Sequence, residues 1–287
     1  MDGVVNILKP PGMSSSNAVC DVRRIFGEKR AGHLGTLDPG AAGVLPVCIG
    51  RATKLFDYLV DKEKTYIFEI GFGMATDTQD AYGTVAARGE PHVERAALEA
   101  ALPSFLGEQW QTAPLYSALK VDGRRMCDMA RAGEIVTPKT RPVTIYELEL
   151  VDQPAPSRAL LRLVCSRGTY VRALAEDIGK RLGTCAYVAM LLRSAAGPFH
   201  AADAYTVPEL EALRERGRLF EAVTRCEDAL AHLPALRLDA ARRKAALNGL
   251  ETSVPRHAPG DVRLYADGFL GVGRVDNGSV KLVVWLS

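Results

Sequence analysis

Asp38 stands in Gly35-Thr-Leu-Asp-Pro-Gly40, where Pro39 fixes one backbone angle and Gly35, Gly40 and Gly43 permit sharp turns around it. An aspartate in Asp-Pro-Gly ordinarily serves the turn itself, accepting backbone N–H groups. The same carboxylate, aimed from a loop held between ordered elements, can instead act as a nucleophile or a general base. Three other residues bear on that choice. His33 lies five positions upstream, Tyr66 falls on the apolar side of an alternating segment, and Arg172 follows the turn Arg167-Gly168-Thr169. Each has a plain reading too: a polar loop histidine, a core tyrosine and a surface arginine.

The totals exclude several classes. The chain has 287 residues, 47% hydrophobic and 24% charged, enough for one large domain or a large one with a small one. No apolar run approaches the length of a membrane helix, and the N-terminus lacks a basic segment followed by a long apolar core. A cytoplasmic protein is expected. Cys20, Cys48, Cys127, Cys165, Cys185 and Cys226 form no CxxC pair, and the five histidines form no ligand pattern, so neither a disulfide framework nor a metal centre is expected. The net charge is only +2. Its distribution is uneven: residues 113–145 carry Lys120, Arg124, Arg125, Arg131, Lys139 and Arg141 against three acids, a stretch that can lie on phosphates or simply be a solvated face.

The elements that must position Asp38 follow from the pattern. Gly3–Lys9 reads as a strand stopped at Pro10-Pro11-Gly12. Ser14, Ser15, Ser16 and Asn17 offer N-caps for a helix to Phe26. Residues 30–46 are too irregular for a regular element and are bounded by the apolar run Val44–Ile49 and a short helix, Ala52–Val60. Lys64–Gly73 alternates with Tyr66, Phe68, Ile70 and Phe72 on one face, a strand. A helix over 93–106 should end or bend at Pro103. Val143–Leu150 and Leu160–Ser166 read as strands, Arg124–Ala132, Val171–Leu182 and Val207–Arg216 as helices. Beyond residue 230 come a helix, Asp239–Leu250, and short strands at Val262–Tyr265, Phe269–Val275 and Ser279–Leu286. The Asn277-Gly278 turn is a hairpin signal. The expectation is an α+β protein: a domain over 1–229 with a mixed, largely antiparallel sheet and a basic insertion near 113–142, then a small β module over 230–287.

Gly32-His-Leu-Gly-Thr-Leu-Asp-Pro-Gly-Ala-Ala-Gly-Val-Leu-Pro-Val-Cys-Ile-Gly50 resembles the catalytic loop of the bacterial tRNA pseudouridine synthases that act on U55 of the T-loop. The resemblance continues in order over roughly residues 3–195. It takes in Lys9-Pro-Pro-Gly-Met-Ser14, Lys64-Thr-Tyr66, Thr76-Asp-Thr-Gln-Asp80 with Gly83, Pro114-Leu-Tyr-Ser-Ala-Leu-Lys120, and Cys165-Ser-Arg-Gly-Thr-Tyr170-Val-Arg172. Where the family often has an Arg-Arg pair, this chain has Leu192-Arg193. The C-terminal module is similar to the small β module called PUA.

The resemblance implies a reaction in which the N1–C1′ bond of uridine breaks, the base turns, C5 joins C1′, and a proton leaves C5. No group is transferred and nothing is oxidised, so neither cofactor nor metal is expected. One carboxylate, Asp38, suffices as a nucleophile on sugar or base, or as a base toward the sugar. By the resemblance Arg172 pairs with Asp38, and Asp80 is a second partner of Arg172. Tyr66 stacks on the uracil and helps take the C5 proton, while Tyr170 and Leu191 hold the base. His33 wedges into the space left when the uridine flips out. Lys9, Lys54 and the 113–145 stretch position phosphates. The expected partner is a tRNA T-arm, bound by a monomer with no membrane and no obligatory protein partner. Two rivals remain open: a tRNA-binding or tRNA-folding protein in which catalysis is secondary or lost, and a glycoside hydrolase, which would need a second opposed carboxylate.

Overall fold

The computed structural model describes residues 1–286 apart from 61, 118, 122, 135 and 136; within its helices and strands the side chains of 120, 121, 125, 127 and 131 are also outside the described residues. Of the basic stretch, therefore, Lys120, Arg125 and Arg131 have no described side chain, nor has Cys127.

The main sheet has ten strands. Its path runs Val223–Thr224, Gly3–Lys9, Ala42–Ile49, Ala186–Ala196, Lys64–Phe72, Arg158–Cys165, Thr140–Ala155 and Gly107–Thr112, with Ala31–His33 and Phe199–His200 paired at its side. All its pairings are antiparallel except Ala42–Ile49 with Ala186–Ala196. The sheet is mixed and largely antiparallel, as expected.

Two buried layers explain why its central strands read as unbroken apolar runs. Val5, Ile7, Leu45 and Val47 share a core with Phe68, Ile70 and the helix residues Ala18, Val22, Ile25, Leu174 and Ile178. The alternate residues Val4, Val44 and Cys48 share a second core with Leu55, Val272 and Leu286, which come partly from the C-terminal sheet. A sheet covered on both faces has no polar side to alternate with.

The helix Ser15–Phe26 starts at Ser14, whose side chain accepts from the Asn17 N–H at 3.1 Å, and stops at Gly27 with φ 65°. Pro103 breaks the next helix as expected: α-helix spans Arg95–Ala101 and a 3-10 turn Leu102–Phe105. The C-terminal sheet orders Ala235–Arg237, Gly260–Tyr265, Phe269–Asp276, Ser279–Trp285 and Thr252–Ser253. At its hairpin Asn277 and Gly278 have φ of 46° and 72°, the two positive values a type I′ turn requires.

Several elements differ from the sequence reading. Residues 30–46 contain a strand, Ala31–His33, and the apolar run begins earlier, at Ala42. The Val143–Leu150 strand extends over Thr140–Ala155, with register shifts after Ile145 and Leu150. The region 52–60 is a 3-10 helix, Gly50–Leu55, running into a single α-turn. Among the strands that the sequence pattern does not predict are Gly107–Thr112 and Ala186–Ala196, and the second carries much of the site.

Candidate active site

One register row crosses the middle of the sheet. Gly43 pairs with Arg193, and Arg193 pairs with Tyr66. Gly43 permits the close parallel approach: its φ is 116°, and a Cβ there would lie 2.2 Å from the Arg193 carbonyl oxygen. Asp38 lies in the loop just before this row.

Three buried side chains hold that loop by its backbone. The Ser15 hydroxyl donates to the Leu37 carbonyl at 2.7 Å and accepts from the Leu37 N–H at 2.9 Å. Arg193, 1% exposed, donates from Nε to Val44 O at 2.7 Å, from Nη1 to Thr36 O at 3.3 Å and from Nη2 to Gly35 O at 3.2 Å. Lys9, fully buried, donates from Nζ to the carbonyls of Pro10 (2.8 Å), Met13 (2.7 Å) and Pro39 (3.3 Å). The expectation that Lys9 positions a phosphate is therefore corrected: its ammonium is spent on carbonyls beneath the loop, out of reach of RNA. Burial draws its pKa down to about 8, against the pull of the Asp38 charge, with Arg193 lowering it further. Lys54, by contrast, is exposed, and its Nζ donates to the Trp285 carbonyl at 3.1 Å.

Arg172 is the second residue of the helix Val171–Arg181 and is buried, with its Nε 2.9 Å from Asp38 Oδ2 and 4.0 Å from Asp80 Oδ2. The Asp38 contact is an ion pair by distance, while the Nε–H is not aimed well enough for a directed hydrogen bond. The remaining donors go elsewhere: Nη1 to Thr78 O at 2.8 Å and Nη2 to Tyr116 O at 3.0 Å. The guanidinium is thus no two-pronged clamp on one carboxylate. It ties together the Asp38 loop, the 76–80 turn and the 114–120 segment. Asp80 is set by its own turn, with Oδ1 accepting from the Thr78 hydroxyl at 2.6 Å and the Tyr82 N–H at 3.0 Å.

Over Asp38 opens a pocket of about 310 Å³ lined by His33, Asp38, Tyr66, Tyr170, Arg172 and Leu191, together with Lys64, Arg141 and Arg193. The first six of these are expected from the sequence; of the other expected residues, Asp80 stands behind Arg172 and Lys9 lies under the loop. A larger cleft of about 960 Å³, between Pro142–Tyr146 and residues 228–232, contains neither Asp38 nor Arg172. Size does not decide the site; the buried charge cluster does.

Tyr66 is 8% exposed, and burial raises its phenol above the usual range, opposed mainly by the Arg193 charge. It stays protonated at neutral pH and presents a donor rather than a phenolate base. Tyr170 is fixed on both sides. The Gln111 amide accepts from the Tyr170 N–H at 2.7 Å and donates to its carbonyl at 3.0 Å, while the Arg141 guanidinium lies 4.6 Å over its ring. Arg141 also donates to the Gly168 carbonyl, so this member of the basic stretch is half committed to the pocket wall. Ser15, Gln111, Arg141 and Arg193 are the supporting residues that the sequence reading did not assign here. Among the described residues no three His, Cys, Asp or Glu side chains are placed to hold a metal ion, and no helix is long and apolar enough to cross a membrane. Burial raises the Cys48 thiol to about 12 and those of Cys165 and Cys226 to about 11, which makes them packing groups.

Residues 23–171 match the family described as TruB family pseudouridylate synthase (N terminal domain), and residues 172–231 match the tRNA pseudouridylate synthase B C-terminal domain. The chain belongs to the TruB family. Its two matched segments meet at the site, since Asp38 and Tyr66 fall in the first and Arg172 opens the second. The chain is 43% identical over 261 residues to the tRNA pseudouridine synthase B of Pelotomaculum thermopropionicum, covering 89% of this chain and 82% of that one. It is 45% identical over 285 residues to the tRNA pseudouridine synthase B of Azoarcus sp. (strain BH72), covering 98% and 93%. Among solved structures it is similar to a chain of a Cbf5-Nop10-Gar1 complex, with a TM-score of 0.72, 26% identity and coverage of 95% of this chain and 78% of that one. It shares its fold with a chain of an H/ACA RNP bound to a substrate RNA containing 2′-deoxyuridine, with a TM-score of 0.74, 23% identity and coverage of 99% and 85%.

Proposed function

We propose that this TruB-family chain isomerises the T-loop uridine U55 of tRNA to pseudouridine, with Asp38 as the catalytic carboxylate. The observation that carries the reading is Arg172 Nε at 2.9 Å from Asp38 in a pocket walled by Tyr66, Tyr170 and Leu191. A single carboxylate beside a buried cation, with an aromatic for a flat base, is the equipment the rearrangement needs. The N1–C1′ bond breaks, the C5–C1′ bond forms, and the proton lost from C5 is balanced by one gained at N1. A second opposed carboxylate, which hydrolysis of the same bond normally requires, is not supplied by Asp80: its oxygens are taken up by Thr78, Tyr82 and the far side of Arg172.

In this reading the target uridine leaves the loop stack and enters the pocket, His33 takes the vacated place, and Tyr66 stacks on the uracil while donating through its phenol. Lys9, Ser15 and Arg193 keep Asp38 at its station. The sheet of 1–229 carries the chemistry, and the module of 230–287 and the exposed basic residues near 113–142 bind RNA. The protein works where tRNA is matured, in the cytoplasm, as a monomer without cofactor. The test is incubation with an unmodified tRNA transcript. Pseudouridine at U55 with unchanged RNA mass supports the reading; released uracil points to hydrolysis, and tight binding with no product to an RNA-folding role.

A further inference from the structure

The crevice beside Asp38 has a second, outward side. Its walls are Asp38, Gly40, Ala41, Asp80, Tyr82, Arg172, Met190 and Leu191, so Asp38, Arg172 and Leu191 separate it from the uridine pocket. Two large side chains stand exposed on this rim, Tyr82 at 70% and Met190 at 42%. Tyr82 is not a loose turn residue. Its N–H is held by Asp80 Oδ1, the carboxylate whose other oxygen faces Arg172. Its ring lies against Gly40 so closely that a Cβ there would fall 2.1 Å from Tyr82 Cε2. One side of the ring is thus seated on the catalytic loop, and the rest faces solvent at a crevice that shares Asp38, Arg172 and Leu191 with the uridine pocket.

We propose that Tyr82 is a stacking platform for a second unstacked nucleobase of the substrate RNA, the immediate neighbour of the target uridine. The proposal rests on the functional reading above and names a further subsite of that site. Extruding one nucleotide from a tight loop pulls its neighbours off their own stacks. A rigidly seated phenol with an open face recovers part of that loss for any base, because every base has a π-face. Tyr82 is two steps removed from the reacting atoms: its ring meets the catalytic loop at Gly40, and its N–H is held by Asp80 Oδ1, which stands behind Arg172. Its loss should therefore weaken binding and leave the bound reaction alone.

The experiment uses the full chain and a T-arm stem-loop. Tyr82→Ala and Tyr82→Leu should raise Kd and KM about 5- to 100-fold, the effect of one lost base–aromatic stack, with single-turnover rates at saturating protein within twofold of wild type. Tyr82→Phe should restore binding. Gly40→Ala, which displaces the ring, should weaken binding in the wild-type background and add nothing in the Tyr82→Ala background, a coupling that two independent effects would not show. With 2-aminopurine placed on either side of the target in two separate RNAs, one complex of Asp38→Asn should brighten when Tyr82→Ala is added. Unchanged Kd and unchanged fluorescence in Tyr82→Ala would overturn the proposal, as would a fall in the saturated rate with no change in Kd. Pseudouridine formation by the wild-type chain is read separately, so failure of the platform and failure of the functional reading give different results.

Discussion

Arg193→Lys is the substitution that most sharply tests how the catalytic loop is held. The arginine makes three bonds to buried backbone: 2.7 Å to Val44 O, 3.3 Å to Thr36 O and 3.2 Å to Gly35 O. A lysine keeps the charge and has one nitrogen, so it can replace one bond, and the planar fork is lost. A hydrogen bond from a charged donor contributes about 1.5–3 kcal/mol when short, and less at the two longer distances. Losing two of the three therefore costs roughly 2–3 kcal/mol. Since all three acceptors belong to the segment that carries Asp38, the loss falls on the placement of that carboxylate. At about 1.4 kcal/mol per tenfold, the rate of the bound reaction should drop about 30- to 150-fold. Single-turnover pseudouridine formation at saturating protein measures it, with urea unfolding alongside to separate a misplaced loop from an unfolded chain. A folded Arg193→Lys protein that turns over within threefold of wild type would refute the assignment of Arg193 as the residue that positions the loop.

Other consequences follow from the same contacts. Lys9 releases its proton near 8 in the folded chain against 10.5 ordinarily, so between those values unfolding takes up a proton and stability rises with pH. The stability of wild type relative to Lys9→Met should therefore improve by about 3 kcal/mol from pH 8 to pH 10.5, and a flat difference by urea titration would contradict the buried ammonium. Val272 and Leu286 share a core with Val4, Val44 and Leu55. Cutting the chain after residue 229 should cost roughly 3–6 kcal/mol from those two side chains alone, seen as a lower denaturation midpoint; an unchanged midpoint would show that the module is energetically separate. Arg124 is exposed and paired with Glu134 at 2.9 and 2.7 Å, a bond that gives way to RNA at little cost. Arg124→Ala should make the dependence of log affinity on log salt shallower by about 0.7–0.9, and an unaltered slope would move the RNA surface elsewhere.

The parts of the site that could be read from sequence are those whose signal is local. Asp38 is marked by Pro and Gly on either side, Tyr66 by alternation with Phe68 and Ile70, and Arg172 by the turn that starts its helix. Arg193 carried no such mark, because its partners are backbone carbonyls about 150 positions away. Its strand, Ala186–Ala196, lacks alternation since it lies at the centre of a sheet covered on both faces, so AYVAMLLRSAA reads as neither helix nor strand. Gly107–Thr112 escaped for the opposite reason: as an edge strand it is mostly polar. Lys9 reads as a surface cation because it ends a strand, and only the folded chain brings the Pro10, Met13 and Pro39 carbonyls together around it. The pairing of Arg172 with Asp38 follows from the resemblance, whereas its bonds to the Thr78 and Tyr116 carbonyls, which join three segments, are visible only in the tertiary arrangement.

Asp38→Asn in a single-turnover assay, with saturating protein and an unmodified tRNA transcript, tests the central claim most directly. Asparagine keeps the shape of the side chain and removes the charge that faces Arg172 at 2.9 Å. The protein should fold and bind tRNA as before, and pseudouridine should fall below detection, because among the described residues no other carboxylate lines the pocket. Formation of pseudouridine by Asp38→Asn at a rate near that of wild type would contradict the account.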